Sequence, residues 1–377
     1  MIKKLGTAIS EYSVRNKLDE EIPVYSVTNE QGFCTGYFSK DVASKDRTTY
    51  KIVPYGYFAY NPSRINVGSV DWQHSEERVI VSPLYVVFGV DESVDKRYLL
   101  HYLKSDIARM LIKNYASGSV RDNLKLSTLM EFPFNFRSLE EQKEIANVLD
   151  KIDYLIGVQK QRMDYFDRLV KSRFIELFGN YINEGGKPLS ELATITGGLT
   201  KNSKRNAFNL KMPYLRVANV FFNRLDLNEI LEIGVREDEI GKTLLQTGDL
   251  LFVEGNGSIE QIGRVAIWDG SISPILHQNH LIKARFHKKT ILPEFALFYF
   301  MSQEGRQQII SKSVSTSGLN TLSVNKISSL ILPMPPIELQ KQFAAFVAQT
   351  DKSKLAVQQG LQELETLKKS LMQQYFG

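Results

Sequence analysis

From Leu124 to Gly179 and from Leu322 to Gly377 the chain matches itself without a gap at a shift of 198 residues. An internal repeat of this length constrains a fold more than any local motif, because both copies have to be built on one plan. Glu140-x-Gln142-Lys143 falls on Glu338-x-Gln340-Lys341, Ala146 on Ala344, Asp153 on Asp351 and Gln161 on Gln359. Further on, Lys171-Ser172 falls on Lys369-Ser370 and Phe178-Gly179 on Phe376-Gly377. Upstream the match fades and needs small shifts, yet Pro23 still answers Pro213, Gly56 answers Gly248 and Tyr102 answers Tyr299. Four segments follow: residues 1–137 and 180–335 as diverged copies of one domain, and residues 138–179 and 336–377 as a helix after each.

The helices announce themselves by their spacing. Ile145, Leu149, Ile152, Ile156, Gln159, Met163, Phe166, Val170, Arg173 and Leu177 alternate four and three residues apart, the 3.5-residue period of a coiled-coil seam. The second copy holds Phe343, Val347, Thr350, Lys354, Val357, Leu361, Leu364, Lys368, Leu371 and Tyr375 at the same places. Each helix follows an extended approach containing proline, Phe132-Pro133-Phe134 and Leu332-Pro333-Met334-Pro335-Pro336, where proline delays helical hydrogen bonding. Gly179 is expected to end the first helix, which starts at Leu139. At ~1.5 Å per residue it would carry the chain roughly 60 Å, and the second helix must bring it back. The expected fold class is α+β: two mixed α/β heads separated by two long antiparallel coiled-coil helices, with pseudo-two-fold symmetry.

The 377 residues exceed what one core normally organises, which agrees with two heads. Within them, short β-rich runs (Tyr85 to Val90, Leu250 to Val253, Arg264 to Trp268, Leu281 to Phe286) accompany expected helices at Asp95 to Asn114 and Pro293 to Ser311. No apolar run approaches the ~20 residues of a membrane span, and the start lacks a signal-peptide core, so a cytoplasmic protein is expected. Cys34 is the only cysteine, which excludes an internal disulfide and a cysteine-based zinc cluster. The net charge is +5, and the positive excess sits in the heads: 18 Lys and Arg against 16 Asp and Glu in 1–137, and 17 against 13 in 185–335. That distribution favours the heads as nucleic-acid faces.

Loops rich in Asn, Ser, Gly and basic residues join the β runs: Asn61-Pro-Ser-Arg-Ile-Asn66, Ser117 to Asp122, Lys201 to Asn206, Gly255 to Ser258 and Ser315 to Asn320. Such side chains donate to phosphates and read base edges. The candidate DNA contacts are Asn61, Arg64, Asn66, Arg121, Lys201, Lys204, Arg205, Asn256, Ser258 and Asn320. Catalytic signatures are missing. Asn61-Pro62 is followed by Ser63 rather than a second proline, and Pro335-Pro336 lacks a preceding acid or amide, so neither seats a target adenine. Gly241-Lys242-Thr243 lacks a glycine at the spacing of a phosphate loop, and Gly255-x-Gly257 has Glu260 where a dinucleotide fingerprint needs glycine. His277 and His280 lack a third metal ligand nearby, and Glu141-x-Lys143, reminiscent of a nuclease motif, lies at a helix start.

With the repeat, the helices and these gaps in view, the chain resembles a specificity subunit of a type I restriction-modification system over its whole length. The most specific parts of the resemblance are Phe134 to Phe178 and Leu332 to Phe376, with the Leu/Ile-Glu-x-Gln-Lys openings at 139–143 and 337–341. It implies a non-catalytic protein whose heads each read one half of a split, asymmetric DNA target. The helices would set the spacer and dock two methyltransferase subunits, which motor-nuclease subunits join. No cofactor is expected here; S-adenosylmethionine, ATP and Mg would belong to the partners. Two other classes stay open on sequence alone, an autonomous DNA-modifying enzyme and a structural coiled-coil scaffold.

Overall fold

The structure is a computed structural model that describes residues 1–36, 47–116, 123–182, 184–287, 290–316 and 318–377. It falls into two compact units, Met1–Arg162 with Val357–Gly377, and Met163–Ala356. Each unit thus combines a head with half of each long helix.

The same sheet forms in both heads. In the first, Ile9–Glu11, Val86–Val90, Phe58–Tyr60 and Val70–Trp72 pair antiparallel in that order; in the second, Ala193–Gly197, Leu281–Phe286, Leu250–Val253 and Val265–Ile267 do so. A two-stranded ribbon recurs too, Ile2–Lys4 with Pro133–Asn135 and Gly186–Pro188 with Ile331–Pro333. Even a mixed crossing is repeated. Ile80 bridges Val24 in parallel and Ile52 antiparallel, and Leu276 bridges Tyr214 in parallel and Leu244 antiparallel. The heads are therefore one fold whose sequence match had almost vanished.

The expected head helices each break once. Lys96–Leu103 is followed by Asp106–Ala116, and Pro293–Met301 by Gln303–Lys312. The cause is a serine at each break: Ser105 Oγ accepts the Ala108 N–H at 3.2 Å, and Ser302 Oγ accepts the Gly305 N–H at 3.3 Å. Each hydroxyl satisfies a donor of a new helix start that would otherwise lack a partner.

The long helices span Leu139–Ile182 and Ile337–Phe376. Gly179 does not end the first, because Phe178 before it is fully buried against Phe295 and Phe343 and the helix runs on to Ile182; the glycine that adopts a left-handed conformation is Gly185, with φ 88°. Phe376, the repeat of Phe178, sits likewise against Tyr98 and Tyr102 of the first unit. None of the twenty expected seam positions is exposed. Two seam lysines are accommodated by acids across the pair: Lys368 on Asp153 within the first unit, and Lys354 on Asp167 within the second. Within the first unit Asp153 meets Lys368 and Lys160 meets Glu365, so partner numbers fall on one helix as they rise on the other and the two are antiparallel. Glu141 belongs to a capping box, its carboxylate accepting from the Ser138 N–H at 3.0 Å while Ser138 Oγ accepts from the Glu141 N–H at 3.2 Å. That accounts for the nuclease-like spelling at 141–143.

The repeated glutamine of the helix openings ties each helix to its head. Gln142 Nε2 donates to Ser93 O and Arg137 O, both at 3.0 Å, while its Oε1 accepts the Asp95 N–H at 2.9 Å. Gln340 repeats the pattern with Thr290 O and Pro335 O at 2.9 Å and the Leu292 N–H at 2.8 Å. Both side chains are fully buried. Truncating either strands three buried backbone groups. Gln142→Ala and Gln340→Ala should each therefore destabilise the protein by roughly 2–3 kcal/mol in urea unfolding; a change within error for either would show that water replaces the amide there.

Candidate nucleic-acid interface

Between the third and fourth strands of each sheet, in the order just given, the chain makes the same turn. Asn61 Oδ1 accepts the Ser63 N–H at 3.1 Å, and Asn256 Oδ1 accepts the Ser258 N–H at 2.9 Å. Both are turns in which an Asn side chain stands in for backbone. Each ends on a left-handed glycine, Gly68 at φ 93° and Gly263 at φ 62°. A Cβ would come within 2.4 Å of Asn29 Oδ1 at the first and 2.5 Å of Ile309 Cγ2 at the second, so glycine is required twice over. Asn61 to Gly68 and Asn256 to Gly263 thus share Asn-x-Ser-x4-Gly at a shift of 195. This signal was present in the sequence but was hidden by the different shift of the helices.

In the first unit this turn borders a cleft of about 640 Å³. Asn61, Ser63, Arg64, Asn66 and Val67 line it together with Ser26 to Asn29, Ser69 and Tyr85, and among the described residues no carboxylate contributes. Arg64 and Asn66 are exposed, and Arg64 has no ion-pair partner among the described residues. Asn29, which the sequence reading did not single out, belongs to the hairpin Ser26–Thr28/Gly32–Cys34, which packs on Val70–Trp72. A cleft of amides and hydroxyls with, among the described residues, one free cation suits base edges and phosphates. Leu124 follows directly beside it, its N–H donating to Pro62 O at 3.1 Å. Arg121 lies outside the described residues.

The corresponding edge of the second unit has a different surface. Gly255–Asn256 pairs with Leu319–Thr321, which pairs with Val314–Thr316, so two loops chosen separately from sequence come together. Ser258 is exposed. Asn320, however, is buried, its Nδ2 donating to Asn256 O and Gly257 O at 3.3 Å, because holding the two strands together occupies its amide. It is a structural residue, and Asn256 is chiefly a turn former. Beside this edge the hairpin Val220–Phe221/Arg224–Leu225 carries arginine on aromatic rings: Arg224 and Arg264 lie 4.4 and 5.1 Å from the Phe221 centroid, and Arg306 4.9 Å from Phe222. Arg306 also donates to Ile262 O at 2.7 Å and Glu260 O at 3.1 Å, fixing the loop.

Lys201 and Lys204 are exposed and stay available as phosphate contacts. Arg205 does not. It is buried, with two bonds to Glu239 at 2.8 and 3.0 Å, one to Gly234 O at 3.0 Å and one to Thr200 O at 2.6 Å. Its guanidinium is fully engaged inside the unit, and these bonds hold the Glu239 carboxyl down at about 2. A larger cavity of about 840 Å³, lined partly by Phe174, Ile175, Phe222 and Met301, has none of the candidate DNA contacts among its described lining residues.

The histidines serve the structure. His280 is exposed and faces Glu254 at 2.8 Å, while His277 is fully buried with Nδ1 2.9 Å from Leu281 O and Nε2 unpartnered. Among the described residues no group of three His, Cys, Asp or Glu could hold a metal ion.

The two units thus define a class, duplicated α/β proteins in which one framework presents two differently surfaced loop edges. A model of the type I restriction modification DNA specificity domain matches residues 3–164 and 186–366, and the chain belongs to that family. It is 26% identical over 342 residues to the type I restriction enzyme EcoKI specificity subunit of Escherichia coli strain K12, spanning 83% of this chain and 72% of that one. To the StySPI specificity subunit of Salmonella potsdam it is 23% identical over 307 residues, 76% of this chain and 66% of that one. Two solved structures share the fold at 14% identity and full coverage of this chain: one from a study of assembly and conformational transition in the type I R-M system (TM-score 0.58, 97% of that chain) and the S subunit from M. genitalium (0.54, 96%). The protein is a DNA sequence-specificity subunit of a type I restriction-modification system, and it recognises DNA without catalysing a reaction. Among the described residues no helix is long and apolar enough to cross a membrane.

Acid should act on the second unit through His277. Burial, reinforced by the Lys283 charge, lowers its pKa to about 4, beneath the unfolded value near 6.5. Its contribution is therefore full above pH ~6.5, declines as the unfolded chain takes up a proton the folded one refuses, and is gone below pH ~4, amounting to roughly 3 kcal/mol. His277→Leu should flatten the stability profile over that window; an unchanged slope in urea titrations would place the acid sensitivity elsewhere.

Proposed function

We propose that each head reads one half of a split, asymmetric DNA target and that the paired helices set the distance between the halves. The observation that carries this reading is the contrast within the repeat: the helix openings, the Gln142 and Gln340 ties and the Asn-x-Ser-x4-Gly turns recur, while the side chains displayed on the loop edges differ. A repeated frame with unlike reading edges suits two different half-sites. The helices also dock two methyltransferase subunits, which supply S-adenosylmethionine and flip the adenine into an enclosed pocket; motor-nuclease subunits bring ATP and Mg. The complex works in the cytoplasm. Arg64, Asn66, Lys201, Lys204 and Ser258 remain the DNA contacts, joined by Asn29.

One heptad inserted at matched points of both helices preserves the seam and adds ~10 Å. At ~3.4 Å per base pair the methylated target should keep both half-sites and lengthen its spacer by about three base pairs. Methylation-site sequencing in cells carrying the whole system reads this directly, and altered half-sites with an unchanged spacer would refute the ruler. Arg64→Ala should weaken binding about tenfold or more and relax or uniformly reduce recognition in one half-site only. Duplex titrations with each half-site scrambled in turn would test that; equal losses in both halves would count against one head per half-site.

A further inference from the structure

The matched turns allow position-by-position comparison of what each head offers. With Asn61 on Asn256, Ser63 on Ser258 and Gly68 on Gly263, Arg64 of the first head falls on Ile259 of the second. Both are exposed, Ile259 at 41%. Next to that loop the hairpin of Val314–Thr316 and Leu319–Thr321 puts two more apolar side chains in solvent, Val314 at 45% and Leu319 at 47%. Val314 pairs with Thr321, and Leu319 with Thr316, so alternation places Val314 and Leu319 on one face and Asn320 on the other, where its amide is engaged. The Asn320 amide, which could read a purine edge, is turned inward here, while the methyl-bearing side chains of Ile259, Val314 and Leu319 are turned outward beside the exposed hydroxyls of Ser258 and Ser315.

We infer that the second head recognises a thymine 5-methyl group in the major groove through Ile259, Val314 and Leu319, where the first head offers Arg64 to a base edge or phosphate. This rests on the proposal that each head reads one half-site. The occupant is DNA rather than protein for two reasons on this edge. It is the same edge of the same sheet that in the first unit carries the cleft with no carboxylate among its described lining residues. Three arginines lie beside it, Arg306 bracing the loop and Arg224 and Arg264 stacked on the adjoining hairpin, and they outnumber the loop's own exposed Glu260. Apolar contact with the thymine methyl is the direct readout open to such side chains.

The test uses the full chain in the complex it forms in its cell, titrated with fluorescent duplexes of its methylated target. Each thymine is replaced in turn by deoxyuridine, which removes the methyl and leaves pairing intact. At one or more positions of a single half-site the replacement should weaken binding about fourfold, the factor for burying one methyl. Ile259→Ala and Leu319→Ala should bind the thymine duplex about as weakly as the wild type binds the deoxyuridine duplex, and should not distinguish the two. Ile259→Arg should shift preference at that base pair towards guanine. Sequence-specific binding with no thymine effect overturns this inference alone, as does full discrimination retained by both alanine variants. Loss of partner-subunit association with DNA discrimination intact would make the face a protein contact and also overturn it. No sequence-specific binding at all would bring down the half-site reading with it.

Discussion

A single buried amide fixes where each head stands on its helix. Gln142 and Gln340 each satisfy two backbone carbonyls and one backbone N–H that flank a head helix and the helix approach. A glutamine fits because the groups to be satisfied are two carbonyls and one N–H, the complement of a primary amide. A carboxylate would offer no donor to the carbonyls, and an apolar residue would leave all three groups without partners. The tie also joins elements far apart in sequence, since residues 93–95 and 290–292 precede the helix openings by nearly fifty positions.

What was legible in the sequence follows from how physical constraints leave traces. The seam was readable because burial between two helices repeats every few residues, and none of the twenty positions proved exposed. The head fold was nearly unreadable because its strands are two to six residues long and its cores accept many apolar substitutes, so Phe252 and Phe58 can occupy matching strands without neighbours that align. The two breaks in the head helices turned on Ser105 and Ser302, and serine, though a favoured cap, also occupies many positions where it caps nothing. Gly179 misled because a glycine inside a helix costs only about 1 kcal/mol, less than a break that unburied Phe178 would forfeit.

Among the DNA candidates the division was sharper. Composition alone cannot separate a free arginine from a committed one: Arg64 and Arg205 both sit in loops of Asn, Ser and basic residues, but Glu239 lies thirty-four positions from Arg205, beyond the reach of any local pattern. Bidentate geometry then makes the pair a brace rather than a reading group. Asn61, Asn256 and Asn320 show the same ambiguity in amides, since the groups that recognise a base edge are those that mimic backbone in a turn.

That ambiguity also explains how a recognition surface can change without unfolding its support. In both turns the shape is set by an Asn carbonyl on a backbone N–H and by a left-handed glycine, neither of which involves the side chains displayed between them. Replacing an arginine by an isoleucine at the displayed position alters charge and hydrogen bonding toward a ligand while leaving the turn's own bonds intact. The energy that orders the loop and the energy that discriminates a base are carried by different atoms. Two copies of one head can then diverge at positions such as 64 and 259 while the strands, the glutamine tie and the helix beneath them remain superimposable in plan.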